Sequence, residues 1–472
     1  MKFGGTSIGD ASCIARTAQI IAQSARAGSC VAVVSAMSGV TNHLIEAAKR
    51  AENGDGEFGA RALEELRKQH EQTLNAVVRN ESAREATKQE MQEVFAEGRR
   101  LLEGTALLRE LTPRTLDAIS SLGEQLSAPL VAGAVMELGL RSEAVDATDV
   151  IVTDEYHGGA EPLMDLTREK CQAGLQSLLD EGIVPVVTGF IGATIDGVLT
   201  TLGRGGSDYS ATILGAAMNA DEVIIWTDVD GVLTADPRLV PSARTISEIS
   251  YREAAELAYF GAKVLHPKTL NPVMQAAIPV WIRNSFAPEK PGTKITPKGQ
   301  SIGGVKALTA IQDVALITLG GPGIVGLPDV VGRTFSTTAE VRANVLLISQ
   351  SSSQNDICFI VSGADAKRTV DGLREEFAQD LAHETVEHIT IDTNIAIVAV
   401  VGENMRGTPG IAGRTFSALG RENVNLIAIA QGSSESNISF VVEENAMKKA
   451  LIAVHREFRL DAEESRANPA SN

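Results

Sequence analysis

The sequence predicts an α/β protein: a large domain built on a mainly parallel sheet between helices, followed by two copies of a small α+β unit. Two observations support this prediction. Across the first 286 residues, apolar strands, short Gly- and Ser-rich loops and helices alternate, as in a doubly wound domain. Farther on, Gly332–Ser336 recurs as Gly413–Ser417, an offset of 81, and the two 30-residue windows that begin there share 13 identities.

The composition is that of an ordinary globular protein and argues against several classes. Of the 472 residues, 44% are hydrophobic and 22% are charged, and no apolar run reaches the length of a membrane span. The formal net charge of −18 argues against binding to nucleic acid or to an anionic membrane surface. No basic-then-apolar leader opens the sequence and the four cysteines lie far apart, so we expect a cytoplasmic protein with free thiols.

The chain begins with two strand, loop and helix units. Asp10 to Arg26 carries apolar residues at helical spacing and is followed by Gly28, which predicts a helix. Cys30 to Ser35 is an apolar run typical of a strand buried on both faces of a parallel sheet. The small-residue loop Ala36–Asn42 follows it, and ligands of such sheets bind at the carboxyl ends of strands.

A long helical stretch and further strands complete this domain. Residues 57–110 are dense in Glu, Arg, Lys, Gln and Ala and predict a helical insertion with one solvated face. Thr112 and Pro113 suit the N-cap and first position of the next helix, which carries Glu124. Further strands are predicted at Arg141–Asp146, Ile183–Thr188, Val198–Leu202, Glu222–Thr227 and Ile278–Arg283.

Domain boundaries follow from composition and from the repeat. Residues 1–286 form the predicted catalytic domain. Residues 287–304 hold prolines and glycines with little apolar periodicity and form the predicted linker. The two copies of the repeat are assigned to 305–390 and 391–466, and residues 467–472 to a tail.

The central stretch of the sequence is Thr200–Ala211, in which the segment Gly203–Asp208 joins a β-prone run to a small-residue helix. The start of a helix presents unpaired backbone N–H groups and the positive end of the helix dipole, and anions collect there. Arg204 adds a cationic fork and Asp208 an acid, which a plain turn does not require. We therefore predict an anion-binding loop, with a Gly-rich turn capped by Ser or Asp as the alternative.

Other segments carry residues suited to a nucleotide. Lys2, followed closely by glycines, offers a point charge and open backbone amides to phosphate oxygens. The acidic loop within Trp226–Arg238 suits a nucleotide or magnesium, with a simple Asx turn as the alternative. Lys263 is either a phosphate ligand or a solvated lysine.

The absence of several common catalytic motifs limits the reactions that the sequence can support. The sequence has neither a P-loop nor the protein-kinase H-R-D motif, and no Ser-His-Asp or Cys-His arrangement is recognisable. If phosphate is transferred, the acceptor should therefore need no strong base. A carboxylate fits, because its pKa of roughly 4 leaves it ionised at neutral pH, so that positioning and charge neutralisation suffice.

Four motifs in this order, followed by the duplicated unit, closely resemble the aspartate kinases of the amino-acid kinase superfamily: Lys2–Ser7, Thr201–Ala211, Trp226–Arg238 and Phe260–Pro267. The resemblance runs nearly end to end. It implies an amino-acid-kinase-like sandwich followed by two ferredoxin-like ACT domains, with 305–311 as a strand shared with the second. It also implies ATP, Mg²⁺ held through the ATP phosphates without direct protein ligands, and conversion of L-aspartate to 4-phospho-L-aspartate, the first step toward lysine, threonine, methionine and isoleucine.

The resemblance also assigns site residues. It implies Lys2 and Asp208 as the catalytic pair, Arg204 as the partner of the aspartate α-carboxylate, and Glu124 as the partner of its ammonium group. The other implied positions are Thr41, Phe190, Gly206 and Ser207 for aspartate, Lys2, Gly4, Gly5, Thr6, Ser7, Thr227, Asp228, Leu233, Arg238 and Lys263 for the nucleotide, and Asn344, Gln350, Asn425 and Gln431 for an end-product effector.

Regulation and assembly are implied in the same way. An end product, threonine or lysine, is expected to inhibit through the ACT pair, which is also expected to form a homodimer or a dimer of dimers. No homoserine dehydrogenase domain follows in the sequence, so we expect a monofunctional enzyme. The alternatives are a kinase of another small carboxylate, such as glutamate, and a catalytically idle amino-acid sensor.

Overall fold

Residues of the predicted catalytic domain are divided between two structural units. The computed structural model describes residues 1–261, 265–299, 304–321, 328–350, 356–403, 405, 408–431 and 436–462. The first unit comprises 1–232, 247–251 and 264–299, and the second comprises 233–246, 252–263 and 300–472. Two segments of the predicted catalytic domain, 233–246 and 252–263, therefore belong to the second unit.

The first unit is built on a mainly parallel sheet, as predicted. Its strands are β1 Lys2–Phe3, β2 Ala32–Val34, β3 Arg141–Val145, β4 Ile183–Thr188, β5 Ile191–Ala193, β6 Leu199–Thr201, β7 Val223–Thr227, β8 Glu248–Ser250, β9 Val280–Asn284 and β10 Thr293–Thr296. Eight of them form one sheet in the order β3-β4-β2-β1-β7-β9-β10-β8. Neighbours from β3 to β9 run parallel, and β10 runs antiparallel to β9 but parallel to β8.

Helices flank this sheet. In the first unit these are α1 Ala11–Ala27, α2 Val40–Glu52, α3 Gly56–Val77, α4 Glu81–Leu108, α5 Pro113–Met136, α6 Met164–Cys171, α7 Ser177–Asp180, α8 Gly206–Ala217 and α10 Asn271–Ala276, whereas α9 Tyr251–Tyr259 belongs mostly to the second unit. Side-chain caps account for the starts of α1, α3, α4 and α5. The Asp10 carboxylate accepts from Cys13 N, and the Thr112 hydroxyl accepts from Thr115 N.

The predicted helical insertion forms α3 and α4. Their apolar faces share one core with the sheet, with Leu66 and Phe95 buried in the same cluster as Val34. Both α3 and α4 pack against α5 and thereby support it. The helix α5 is itself buried along most of its length, which fits a helix whose polar residues serve a site rather than solvent.

Two sequence predictions need correction. The strand predicted before the central loop is β6, but it pairs antiparallel with β5 in a separate two-stranded sheet instead of lying in the main sheet. The segment 287–304, predicted as a linker, contains β10, which is hydrogen-bonded to β9 and β8. Short strands with few apolar residues, such as Thr293–Thr296, give little periodicity from which to predict them.

The second unit carries the two repeat copies on one antiparallel sheet. Its strands are β11 Ala307–Gly320, β12 Val345–Gln350, β13 Asp356–Ser362, β14 His388–Val401, β15 Ala428–Ala430 and β16 Asn437–Glu443. Its helices from residue 328 onward are α11 Pro328–Glu340, α12 Gly363–Glu376, α13 Ala378–Ala382, α14 Ile411–Arg421 and α15 Glu444–Glu457. The strand order is β12-β13-β11-β14-β16-β15.

Two long strands serve both copies. In β11, residues 307–311 pair with 397–401 of β14, whereas residues 314–320 pair with β13 and with the first half of β14. The register shifts between Ile311 and Val314, where the strand passes from one copy to the other. The strand β14 itself crosses the boundary predicted at residue 390.

The two segments of the predicted catalytic domain are fixed to the second copy. Leu308 N donates to Thr234 O at 2.8 Å. Lys306 Nζ lies 3.0 Å from a carboxylate oxygen of Glu253, whose side chain is only 1% exposed. Ala235 also joins the apolar core of this copy. Through these contacts, 233–246 and 252–263 belong to the second unit.

Two smaller observations bear on the composition. No helix of the described residues is long and apolar enough to cross a membrane. Cys13, Cys30 and Cys171 are buried free thiols and Cys358 is a half-buried one.

Candidate active site

Four polar segments meet at one edge of the main sheet. The strands β1, β2 and β4 are adjacent and parallel, so their carboxyl ends lie side by side. The turn Gly4–Ser7, the loop Ser35–Val40 and the pair Gly189–Phe190 begin at those ends. The segment Gly203–Asp208 reaches the same edge, because Leu202 N donates to Phe190 O at 2.9 Å. This edge is where an open parallel sheet binds its ligands.

Lys2 and Asp208 form an ion pair at this edge. Lys2 Nζ lies 2.6 Å from Asp208 Oδ1, and the two side chains are 10% and 16% exposed. Lys2 is the first residue of β1 and Asp208 lies in the first turn of α8, so the pair joins the sheet to the central loop. A Cβ at Gly4 would lie 3.3 Å from the ammonium group, so the glycine leaves room beside it.

The central loop has the geometry of an anion site at a helix start. Gly203 and Gly205 have φ of +77° and +69°, a left-handed conformation that suits glycine. Gly205 is the N-cap of α8 and provides no side-chain cap. Gly206 N donates to Gly203 O at 3.0 Å, so the N–H groups of Ser207 and Asp208 are the ones that a further acceptor can reach. The alternative of a Ser or Asp cap is therefore wrong. Arg204 is exposed, and it has no hydrogen-bond or ion-pair partner among the described residues.

Close packing places Phe190 and Ser207 beside this loop. A Cβ at Gly206 would lie 2.5 Å from the Phe190 ring, and a Cβ at Gly189 would lie 2.7 Å from the Cβ of Ser207. Phe190 has a φ of +72°, which is strained for a residue with a side chain. Its backbone N–H donates to Ser210 Oγ at 2.9 Å, which helps to hold that conformation.

Glu124 is a buried carboxylate without a full set of partners. Its residue is 3% exposed, and Oε2 has no hydrogen-bond partner among the described residues. Gly123 beside it packs against Ala36, which brings Glu124 to the carboxyl end of β2. Burial raises the pKa of Glu124 to about 8, although the backbone N–H groups of Ala36 and Glu124 and the charge of Lys2 oppose this. An ammonium group is the partner that such a carboxylate lacks.

The raised pKa of Glu124 predicts how stability depends on pH in the protein without ligands. Between pH 4.5 and about 8 the folded state holds a proton on Glu124 that the unfolded state has released. The free energy of unfolding should therefore fall as pH rises, by at most about 1.4 kcal/mol per pH unit from this group. Urea unfolding of the parent and of Glu124→Gln across this interval measures the effect. Parallel curves for the two proteins would contradict the assignment.

Sequence reasoning missed a second polar group beneath the loop. Asp117 is buried on α5 and accepts hydrogen bonds from His157 and Thr201. It lies seven positions before Glu124, so the two carboxylates share one face of the helix, and this spacing was the available signal. Nothing in the sequence indicated its partners, which lie 40 and 84 positions away.

A cluster of Tyr209, Glu161 and Lys268 fixes the end of the loop that leads into α8. The Tyr209 hydroxyl donates to Glu161 Oε2 at 2.9 Å, and Lys268 Nζ lies 2.9 Å from the other oxygen of Glu161. His266 packs against Gly205 from the same side. Burial, and then the positive charges of Lys268 and Arg204, lower the pKa of His266. Lys268 and Arg204 thus both bring positive charge close to His266 at this end of the loop.

The predicted nucleotide residues are only partly brought together. Gly4, Gly5, Thr6 and Ser7 form a 3-10 turn and its N-cap at the end of β1, and Ser7 Oγ lies 2.8 Å from Ser285 Oγ. Thr227 ends β7, next to β1, and Asp228 follows it. Leu233 and Arg238 lie in the second unit, where Arg238 forms an ion pair with Asp236. Lys263 lies outside the described residues.

Of the remaining predicted positions, Thr41 lies in the first unit and the four effector positions lie in the second. Thr41 is half-buried in the first turn of α2. Asn344 and Asn425 are exposed just before β12 and β15, and Gln350 is exposed at the end of β12. Gln431 lines a cavity of about 250 Å³ together with Met405, Thr408, Pro409, Gly410, Ile411, Ala412 and Ile438.

The positions of the acidic side chains bear on how a metal ion could be held. Across them, no group of three or more His, Cys, Asp or Glu side chains is placed to hold a metal ion. Magnesium commonly keeps several waters and binds through substrate phosphates with few protein carboxylates. The single acidic side chain at the loop, Asp208, is compatible with that mode of binding.

Comparisons with known proteins identify two kinds of domain in the chain. Residues 1–284 match the Amino acid kinase family, and residues 317–377 and 398–458 match the ACT domain. The chain is 35% identical to the bifunctional aspartokinase/homoserine dehydrogenase 1 of Arabidopsis thaliana, over 97% of this chain and 51% of that protein. The chain thus spans about half the length of such curated relatives.

Solved structures match over nearly their full length. Aspartokinase III of E. coli in complex with aspartate and ADP has a TM-score of 0.80 and 30% identity, covering 97% of this chain and 99% of that chain. The same enzyme in complex with lysine and aspartate has a TM-score of 0.80 and 31% identity, covering 96% and 98%.

Proposed function

The chain belongs to the amino acid kinase family, and within it to the aspartokinases, and from this premise we propose that it transfers the γ-phosphoryl group of ATP to the side-chain carboxylate of L-aspartate. The product is 4-phospho-L-aspartate, the precursor of lysine, threonine, methionine and isoleucine. The observation that carries the proposal is the meeting of the Lys2–Asp208 pair, the anion-binding turn and the unpartnered carboxylate of Glu124 at one sheet edge.

The acceptor is recognised by two charged side chains and by an uncharged pocket lining. The exposed guanidinium of Arg204 binds the α-carboxylate of aspartate, for which its planar fork is suited. Glu124 binds the α-ammonium group and thereby gains the partner that its buried oxygen lacks. Ser207, Gly206, Phe190 and Thr41 line the pocket and leave the side-chain carboxylate directed toward the phosphate.

Transfer then depends on position and charge. An oxygen of the aspartate side chain attacks the γ-phosphorus, a new O–P bond forms, and the bond from phosphorus to the β–γ bridging oxygen breaks, so that ADP leaves with the electron pair. No proton has to be removed, because the acceptor carboxylate is already ionised. Lys2 contacts the transferring phosphoryl group, and Asp208 fixes the position of its ammonium group.

The nucleotide is held mainly by backbone. The amides of Gly5 and Thr6, in the turn Gly4–Ser7, bind its phosphates, because those of Gly4 and Ser7 already donate to Trp226 O and Gly4 O, and Thr227 and Asp228 contact the rest of the nucleotide. Mg²⁺ would be held through the ATP phosphates without direct protein ligands, and it would supply charge neutralisation there.

An ADP-release assay across candidate acceptors tests this function. With ATP and Mg²⁺, release should depend on L-aspartate and be at least about a hundredfold slower with L-glutamate, because one added methylene moves the reacting carboxylate out of line. Equal rates with glutamate would favour a kinase of another small carboxylate. Absence of release with every acid, together with amino-acid binding to the ACT pair, would favour an idle sensor.

We also propose feedback inhibition through the ACT pair, which assembles the protein as a homodimer or a dimer of dimers. The cavity beside Gln431 has the size of an amino acid and lies at the start of α14, whose unpaired N–H groups suit a carboxylate. Titrating lysine and threonine separately should lower the rate of ADP release with at least one of them. Gln431→Ala should weaken that inhibition at least about tenfold, whereas Lys448→Ala, a surface change on α15, should leave it unchanged. Flat titrations with both amino acids would contradict feedback by either.

A further inference from the structure

We propose that Asp117 is a positioning residue for the acceptor site, which fixes the central loop by holding Thr201. The identity of the acceptor rests on the proposed function, but the contacts do not. They lie entirely within the first unit and join three segments that are distant in sequence: α5, the stretch around His157 and the end of β6.

The Asp117 carboxylate is buried and fully supplied with donors. Its side chain is 4% exposed. Oδ1 accepts from Thr201 Oγ1 at 2.5 Å, and Oδ2 accepts from Thr201 N at 3.2 Å, Gly158 N at 3.0 Å and His157 Nδ1 at 2.8 Å. A carboxylate is placed in such an environment at a large desolvation penalty, which only several well-directed donors offset. Two of the four donors belong to Thr201, so Asp117 fixes both the backbone and the side chain of this residue.

The two hydrogen bonds from Thr201 to Asp117 fix the position at which the loop begins. Thr201 is separated from Gly203 by a single residue, and its carbonyl accepts from Ala160 N at 2.9 Å. Gly158, held by the same carboxylate, packs against the turn: a Cβ at Gly203 would lie 3.0 Å from Gly158 O. The start of the turn is thus fixed from two sides, which leaves Arg204 exposed and extended from a rigid base.

The helix α5 therefore positions both of the groups that bind the acceptor. Glu124 and Asp117 lie on the same face of α5, separated by seven residues or about two helical turns. Glu124 binds the ammonium group directly, and Asp117 acts through Thr201 and the loop on the group that binds the α-carboxylate. The distance between the two binding groups is consequently held by a single rigid element, and small errors in such a distance are costly to transfer rates.

Paired variants of Thr201 test this role without removing a charge. Thr201→Val deletes the hydroxyl donor at constant shape, and Thr201→Ser keeps it. Thr105→Val is the matched control, since Thr105 is equally buried and donates to Leu101 O at 2.8 Å on α4. Thr201→Val should raise the KM for aspartate about tenfold or more and leave the KM for ATP within about twofold, because one charged hydrogen bond is lost on the acceptor side. Thr201→Ser should restore the parent value.

Two outcomes would overturn the role of Asp117. In one, Thr201→Val and Thr105→Val have the same kinetic constants as the parent. In the other, Thr201→Val changes both KM values together and Thr201→Ser fails to rescue it. Asp117→Asn should show the same split in KM to a larger extent, because the amide cannot satisfy all four donors.

Hydrogen exchange separates this proposal from the proposed function. If the parent releases ADP with no carboxylate, the assignment as an aspartate kinase fails, whereas the loop is still measured directly. Exchange at Gly203–Tyr209 should then rise about tenfold or more in Thr201→Val relative to both Thr201→Ser and Thr105→Val. Equal exchange in the three variants would refute the role of Asp117.

Discussion

Replacing Lys2 by methionine is expected to lower kcat by roughly 10³-fold, with little change in the KM for aspartate. The reason is that Lys2 supplies its charge where negative charge is redistributed during transfer, 2.6 Å from Asp208 in a largely buried position. Arginine at this position keeps the charge but not the compact shape, so Lys2→Arg should recover only a small part of the rate. ADP release at saturating ATP and aspartate measures both variants.

The control separates lost chemistry from lost stability. Lys2→Met leaves the Asp208 carboxylate largely buried and unpaired, which destabilises the fold by itself. The double variant Lys2→Met, Asp208→Asn removes that charge, so its melting temperature should return toward that of the parent while turnover stays absent. Turnover near the parent rate in either variant would refute the catalytic assignment of Lys2.

Replacing Arg204 by lysine is expected to raise the KM for aspartate about 10- to 100-fold, the loss that follows when a charge-assisted bidentate contact becomes a single one. Arg204 has no hydrogen-bond or ion-pair partner among the described residues, so the substitution Arg204→Lys should leave the melting temperature unaltered. The KM for ATP should also remain close to the parent value, because the guanidinium belongs to the acceptor side of the site.

A remote arginine provides the matched comparison. Arg99 is an exposed residue on α4, and Arg99→Lys makes the same chemical change away from the sheet edge. It should alter neither KM. An equal rise in the KM for ATP in Arg204→Lys would move this residue to the nucleotide side, and an unchanged KM for aspartate would remove it from the site.

Local chemistry made much of the site predictable from the sequence. The glycines around Arg204 predicted a turn at a helix start, and the structure has left-handed Gly203 and Gly205 followed by α8. The apolar run that became β2 predicted a strand buried on both faces, and the run that became β4 predicted a strand. In each case the signal lies within a few consecutive residues, so it is read without knowledge of the tertiary structure.

The parts that could not be predicted depend on distant pairing. Asp117 resembles any polar helical residue until Thr201 and His157 are brought to it. The strand β10 gains its place from hydrogen bonds to β9 and β8, because its own sequence has little periodicity. The assignment of 233–246 to the second unit likewise depends on contacts such as Leu308 with Thr234, which no local pattern indicates.

The measurement that most directly tests the central claim is trapping of the product with hydroxylamine. An acyl phosphate on the aspartate side chain reacts with hydroxylamine to give the side-chain hydroxamate, which mass spectrometry identifies and distinguishes from the α-hydroxamate. We expect one equivalent of the side-chain hydroxamate for each ADP released, and roughly 10³-fold less of it in the same time from Lys2→Met. ADP release without the hydroxamate, or a hydroxamate at the α-carboxylate, would contradict it.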